Sequence, residues 1–117
     1  MKNHKLYFKV YEILREIPRG KVTTYGIIAE YLGNKKMARV VGNILHVNPD
    51  GQKYPCYKVV NSKGRLAENF GLGGIEVQRA RLEAEGIKVE NYRVDLSKYL
   101  WDGPAENTKG NSKSGGL

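Results

Sequence analysis

The chain is poor in the residues that bind metals and form disulfides. It has one cysteine and two histidines, His4 and His46, which stand far apart in the sequence. A single cysteine excludes a disulfide framework within the chain, and these residues do not predict a metal site. We therefore expect neither a metal nor a cofactor, and the lone thiol of Cys56 must serve either chemistry or packing.

Long apolar runs are also lacking. No stretch approaches the roughly 18 residues that a membrane-spanning helix needs. The opening Met-Lys-Asn-His-Lys is not followed by the apolar core of a signal peptide. These patterns predict a cytoplasmic protein without a membrane partner.

Acidic residues are outnumbered by basic ones. The chain has 20 Lys and Arg against 12 Asp and Glu, which gives a net charge of +8. Such an excess favours a polyanionic partner, although many basic domains do not bind nucleic acid. At 117 residues the chain is long enough for one core and too short for two. We assign residues 1–101 to this domain and expect residues 102–117, rich in Gly, Ser, Asn and Lys, to form a disordered tail.

Apolar periodicity predicts three helices in the first half of the chain. The first covers about residues 5–17 and ends at Pro18-Arg19-Gly20. The second begins near Tyr25, is capped by Thr23 or Thr24, and stops at Gly33-Asn34. The third runs from about Met37 to His46. Two short helices joined by a Gly-containing turn indicate a helix-turn-helix. In the third helix we expect the inward residues to be Met37, Val40, Val41, Ile44 and Leu45, and the outward ones Arg39, Asn43 and His46.

The pattern changes after Val47. Turn residues at 48–51 and 61–64 surround a short apolar segment at 56–60, which predicts an extended stretch on a loop that carries Cys56. A last helix is expected from Ile75 to Glu85, closed by Gly86. Residues 92–101 should fold back on the core. The predicted fold class is therefore mainly α: a small single domain, winged-helix-like, with a helix-turn-helix, short strands and an active-site loop.

Several motifs in one order resemble the C-terminal, DNA-binding domain of the O6-alkylguanine-DNA alkyltransferases and their non-catalytic relatives, the alkyltransferase-like proteins. The resemblance runs from about Val10 to Gly86. Its motifs are Ile17-Pro18-Arg19-Gly20-Lys21-Val22-Thr23-Thr24-Tyr25-Gly26, Ala38-Arg39-Val40-Val41-Gly42, Asn48-Pro49, Pro55-Cys56-Tyr57-Lys58-Val59-Val60, Gly73-Gly74 and Glu85-Gly86. Full-length alkyltransferases carry a further N-terminal domain, so we expect a minimal single-domain form.

The resemblance implies a repair reaction on double-stranded DNA. The target guanine would be flipped out of the duplex into a pocket, because its O6 atom is held within the stacked pair. Cys56 would then accept the alkyl group irreversibly, and Asn48 would order the loop around it through main-chain bonds. Without the resemblance, a small buried hydrophobe is the usual role of a free cysteine.

The sequence departs from the catalytic members directly after the cysteine. Those members have His-Arg there, and the histidine accepts the thiol proton through a water while a glutamate orients it. Here Tyr57 and Lys58 follow, and a phenol is a poor acceptor at neutral pH. Glu85 matches the glutamate and is either its catalytic equivalent or a solvated residue in the last helical turn. Lys58 is either a cation beside a thiolate or a surface phosphate contact. Alkyltransferase-like proteins usually have tryptophan at the position of Cys56.

The resemblance also implies a set of DNA-contacting residues. Arg39 matches the arginine finger that enters the minor groove and fills the gap left by the flipped base; the alternative is an ordinary solvated or phosphate-contacting arginine. Tyr25 matches a tyrosine that rotates the adjacent phosphate, or is half-buried packing. Ala38 and Gly42 would allow close backbone approach. Further predicted contacts are made by Thr24, Lys36 and Lys58.

Three hypotheses remain at this stage. The first is a repair protein that transfers the alkyl group to Cys56, slowly because Tyr57 replaces histidine. The second is a module that flips and marks O6-alkylguanine for other repair proteins. The third is a helix-turn-helix factor without lesion preference, which the lack of a long polar surface on the third helix disfavours. In the first two hypotheses we expect a monomer associated with the nucleoid. The sequence does not decide whether Cys56 accepts an alkyl group or which alkyl size is preferred.

Overall fold

A computed structural model describes residues 4–68 and 70–103. The helices in these ranges are α1 (His4–Glu16), α2 (Tyr25–Tyr31), α3 (Ala38–His46), α4 (Ile75–Ala84) and α5 (Leu96–Tyr99), and single 3₁₀ turns cover Lys35–Met37 and Cys56–Lys58. The strands are β1 (Thr23–Thr24), β2 (Val59–Val60), β3 (Val89–Glu90) and β4 (Arg93–Val94). The mainly α class with short strands is therefore confirmed. The tail predicted for 102–117 lies, from residue 104 onward, outside the described residues.

The first three helices form one side of the core. Val10 and Leu14 of α1 are fully buried, and α3 packs on both α1 and α2. Thr24 caps α2, since its hydroxyl accepts a hydrogen bond from the Ile27 amide at 3.1 Å. These helices therefore lie near the predicted positions, because apolar periodicity and N-capping act locally in the chain.

One apolar side chain that we expected to face inward does not. Val40 of α3 is 40% exposed. The buried stripe of α3 consists of Val41, Ile44 and Leu45. Val40 precedes this stripe by about 100° around the helix, which turns it toward the exposed face of Arg39.

The cysteine segment is a 3₁₀ turn followed by a strand, so the prediction of an extended stretch from Cys56 was wrong for its first three residues. The Lys58 amide bonds the Pro55 carbonyl at 3.1 Å and closes the turn. β2 then pairs in parallel with β1, with Val59 opposite Thr23. This pairing places the cysteine turn beside the start of α2.

The C-terminal part returns to the core as predicted. The Val22 amide donates to the Tyr99 carbonyl at 2.9 Å, and the Trp101 amide donates to the Val22 carbonyl at 2.8 Å. The helix at 75–84 is not the last one, however, because Asp95 caps α5 through the Ser97 amide at 3.0 Å. Of the helices within residues 4–103, none is long and apolar enough to cross a bilayer.

Candidate functional site

Cys56 lies in the wall of an open cavity of about 270 Å³. Helices α2 and α3 form one side of the cavity, and the segment before α4 forms the other. Its lining residues are Tyr25, Gly42, Leu45, His46, Cys56, Ala67, Glu68, Phe70, Gly71 and Gln78. Three residues that the sequence predicted for the site, Tyr25, Gly42 and Cys56, therefore meet at one cavity.

Asn48 organises the loop between α3 and the cysteine turn. Its side-chain amide donates to the Tyr54 carbonyl at 2.7 Å, and its oxygen accepts from the Asp50 amide at 3.0 Å. The side chain is buried, so these bonds hold the loop in place without competition from water. The main-chain role expected for Asn48 is observed.

The thiol of Cys56 is buried and protonated at neutral pH. Burial raises its pKa above the ordinary value, and this effect exceeds the opposing effects of a hydrogen bond with Asn48, the local backbone amide and the charge of Arg81. Only 6% of the residue is exposed. A thiol in this state becomes a good nucleophile only after it loses its proton.

Lys58 and Glu85 form a buried ion pair beneath the cysteine turn. The Lys58 ammonium lies 3.0 Å from Glu85 Oε1, and the two side chains are 5% and 8% exposed. The ammonium also donates to the carbonyls of Ile17 at 3.2 Å and Pro18 at 3.0 Å. The prediction of Lys58 as a surface phosphate contact was wrong, because all three of these oxygens hold it inside the fold. The alternative of a solvated Glu85 was wrong for the same reason.

Tyr57 completes this polar cluster. Its hydroxyl donates to Glu85 Oε2, and the amide of Gly20 donates to Oε1 of the same carboxylate at 2.9 Å. Burial and the hydrogen bond to Glu85 raise the pKa of Tyr57 to about 12. Burial would raise the pKa of Glu85 too, but the bonds from Tyr57, Gly20 and Lys58 outweigh it and lower that pKa. Tyr57 and Glu85 thus form a pair in which the phenol keeps its proton.

Apart from Tyr25, Gly42 and Lys58, the predicted DNA-contacting residues fall into two groups. Arg39 and Lys36 are exposed and Ala38 is half-buried, so they remain accessible around the start of α3. Thr24 is 6% exposed and its hydroxyl caps α2. The hydroxyl of Thr24 is thus engaged within the fold, and the predicted DNA contact of this residue stays a prediction.

Gln78 of α4 is a site residue that the sequence prediction missed. It is fully buried, donates to the carbonyls of Tyr57 at 3.1 Å and Val59 at 3.2 Å, and accepts from the Ala67 amide at 2.8 Å. A polar residue in line with Ile75 and Leu82 on one helix face was the available signal. Gln78 fastens the cysteine turn to α4.

Arg81 and His46 were also missed. The Arg81 guanidinium lies over the Tyr57 ring, 5.4 Å from its centre, and His46 lines the cavity from the last turn of α3. Nothing local in the sequence marks either residue. Within 4–68 and 70–103, no group of three His, Cys, Asp or Glu residues could hold a metal ion.

The chain is similar in sequence to known proteins. Residues 5–87 match the family model described as the 6-O-methylguanine DNA methyltransferase, DNA binding domain. The chain is 43% identical over 102 residues to a bifunctional methyltransferase/endonuclease of Picrophilus torridus, covering 87% of this chain and 34% of that protein. It is 40% identical over 96 residues to a DNA base-flipping protein of Vibrio parahaemolyticus, covering 80% and 92% of the two chains.

A solved structure gives the same result. Atl1 of Schizosaccharomyces pombe, in complex with damaged DNA containing O6-carboxymethylguanine, superimposes with a TM-score of 0.77 and 37% identity. The similarity covers 87% of this chain and 99% of Atl1. Because the family match spans most of the sequence and the fold agrees over nearly all of a relative, the chain belongs to the family of the 6-O-methylguanine DNA methyltransferase DNA-binding domain.

Proposed function

We propose that the protein repairs alkylated DNA by rotating O6-alkylguanine out of the duplex and accepting the alkyl group on Cys56. The observation that carries this proposal is a nucleophilic thiol in the wall of an open cavity beside α3. In the transfer step a bond forms between Sγ and the alkyl carbon, and the bond between that carbon and guanine O6 breaks. The thiol proton ends on the guanine, which stays joined to its deoxyribose as a neutral, unalkylated base.

The surroundings of the cavity support a flipped base. Its volume of about 270 Å³ is near the lower end for small-ligand pockets. Tyr25 and Phe70 supply aromatic surface for a base, and Gly42 leaves its side of the wall open. We propose that α2 and α3 act as a helix-turn-helix, with Arg39 and Lys36 directed at the DNA, and that the protein works in the cytoplasm at the nucleoid.

A second candidate function is lesion binding without transfer. Two observations favour it. The raised pKa of Cys56 keeps the thiol protonated, and the Tyr57 hydroxyl, hydrogen-bonded to Glu85, keeps its own proton and cannot accept that of the thiol. The relatives support both functions, since one is named a methyltransferase and another a base-flipping protein. Both candidate functions require the same binding of DNA with a flipped base. They differ only in whether the alkyl group is transferred to Sγ of Cys56.

Intact mass spectrometry separates the two. Native protein incubated with excess duplex containing O6-methylguanine should gain the mass of one methyl group, and Cys56→Ala should gain none. A native protein that binds the lesion duplex but keeps its mass through a long incubation would leave the binding module as the function.

The transfer rate should depend steeply on pH. Because burial raises the pKa of Cys56, the thiolate is a minor form at neutral pH and its fraction grows about tenfold per pH unit. Single-turnover transfer by native protein should therefore rise nearly tenfold from pH 7 to pH 8. A rate that is flat across this range would show that the thiol proton is not lost before the limiting step.

Arg39→Ala should weaken base extrusion without unfolding the protein. Arg39 is exposed, so its removal leaves the core intact, while the gap left by the flipped base loses its planar cation. A fluorescent base analogue at the target position reports extrusion, and Arg15→Ala on α1 serves as the control. Equal fluorescence gain with native protein and Arg39→Ala would remove the finger role.

A further inference from the structure

Arg81 links three parts of the cysteine site. It lies on α4, four residues before Glu85, the C-cap of this helix, and the side chains of both residues contact the cysteine turn. Its guanidinium lies 5.4 Å from the centre of the Tyr57 ring and donates to the Gly51 carbonyl at 3.4 Å. The residue is half-buried. One cation therefore touches both the residue after the nucleophile and the loop before it.

Among residues 4–68 and 70–103, the ion pairs give Arg81 no carboxylate partner. The Lys58 ammonium is neutralised by Glu85 at 3.0 Å. Tyr25 of α2 and Tyr11 of α1 also interact with Cys56, and their raised pKa values keep both phenols uncharged at neutral pH. Glu68 and His46 line the cavity from the segment before α4 and from α3. The described ion pairs and hydrogen bonds place no carboxylate on Arg81.

We propose that Arg81 is a positioning residue for alkyl transfer, which holds the Cys56 turn against the loop and stabilises the negative sulfur as the thiol gives up its proton. This rests on the proposed function. A fixed guanidinium exchanges no proton, so it acts even though Tyr57 cannot serve as a base. During attack the charge passes from Sγ to the leaving guanine oxygen, and Arg81 stays charged throughout.

The first test measures the thiol in the free protein, without DNA. Iodoacetamide forms a carbon–sulfur bond with the thiolate and releases iodide, so its rate against pH reports how readily Cys56 ionises. Arg81→Gln and Arg81→Met should react about threefold or more slowly than native protein at pH 7, with the rise shifted to higher pH. Arg81→Lys should restore most of the rate, because it restores the charge.

The matched control is Arg79→Gln, two residues away on the same helix. Arg79 pairs with Glu76 at 2.6 Å and is 41% exposed, away from the cysteine. Its replacement should leave the iodoacetamide profile unchanged. Far-ultraviolet circular dichroism of each variant confirms the fold, and one folded charge-removing variant, Gln or Met, is sufficient for the comparison.

The second test measures methyl transfer from O6-methylguanine duplex with the same variants. A fall in transfer that parallels the fall in iodoacetamide reactivity, with rescue by lysine, supports the role of Arg81. A native-like iodoacetamide profile in a folded Arg81→Gln or Arg81→Met variant overturns it. If no variant and no native protein gains a methyl group while the iodoacetamide profile still shifts, the proposed transfer fails but the electrostatic link between Arg81 and Cys56 stands.

Discussion

Replacing Tyr57 with histidine is expected to accelerate alkyl transfer to Cys56 by roughly 10²-fold, the lower end of what a positioned general base contributes. The pKa of Tyr57 is raised to about 12, so the phenol cannot accept the thiol proton at neutral pH. A neutral imidazole at this position can accept it, and Glu85 is already placed to receive a hydrogen bond from the side chain at 57. Single-turnover methyl transfer at pH 7 measures the effect.

Two variants make this experiment specific. Tyr57→Phe keeps the ring and removes the hydroxyl, so it should not be faster than native protein. Combining Cys56→Ala with Tyr57→His should abolish transfer altogether. The acceleration should also diminish toward high pH, where the native thiol ionises without assistance. If Tyr57→His is no faster than native protein at pH 7, proton removal is not what limits this site.

Replacing Lys58 with methionine is expected to destabilise the fold by about 3–5 kcal/mol, as for other buried ion pairs that lose one partner. Glu85 would keep its charge in the interior, and the carbonyls of Ile17 and Pro18 would lose their donor. For a domain of this size, 3 kcal/mol corresponds to a fall in Tm of about 12 °C or more. Thermal unfolding by circular dichroism measures it, with the exposed Lys53→Met as the control.

The effect of Lys58→Met should depend on pH with a definite sign. Hydrogen bonds lower the pKa of Glu85 in the folded protein, so this carboxylate stabilises the fold above its unfolded pKa of about 4.3. That stability is lost as the pH falls through the folded value. The difference in Tm between native protein and Lys58→Met should therefore be largest near neutral pH and shrink below about pH 4. A difference that stays constant down to pH 3 would contradict a charged pair.

The helices could be predicted from the sequence because their signals are local. The spacing of apolar residues in α1, the hydroxyl of Thr24 before α2 and the Gly86 that follows α4 act within one or two turns. The order of motifs from 17 to 86 was sufficient to indicate the family, which the match over residues 5–87 confirmed. Cys56, Tyr25 and Gly42 were likewise identified before their common cavity was known.

The chemistry around the cysteine was decided by tertiary structure. The sequence left Lys58 and Glu85 with two interpretations each, and only folding brings residues 17, 18 and 85 to the same ammonium. Gln78 and Arg81 have ordinary helical positions, and their roles arise because α4 packs against the turn at 56–58. Apolar periodicity and capping depend on residues that are close in the sequence. Burial and ion pairing depend on residues that are distant in the sequence and meet only when the chain folds. The sequence by itself therefore determined where the first four α-helices lie, though not α5, and which thiol is available. The tertiary contacts decided which groups surround that thiol.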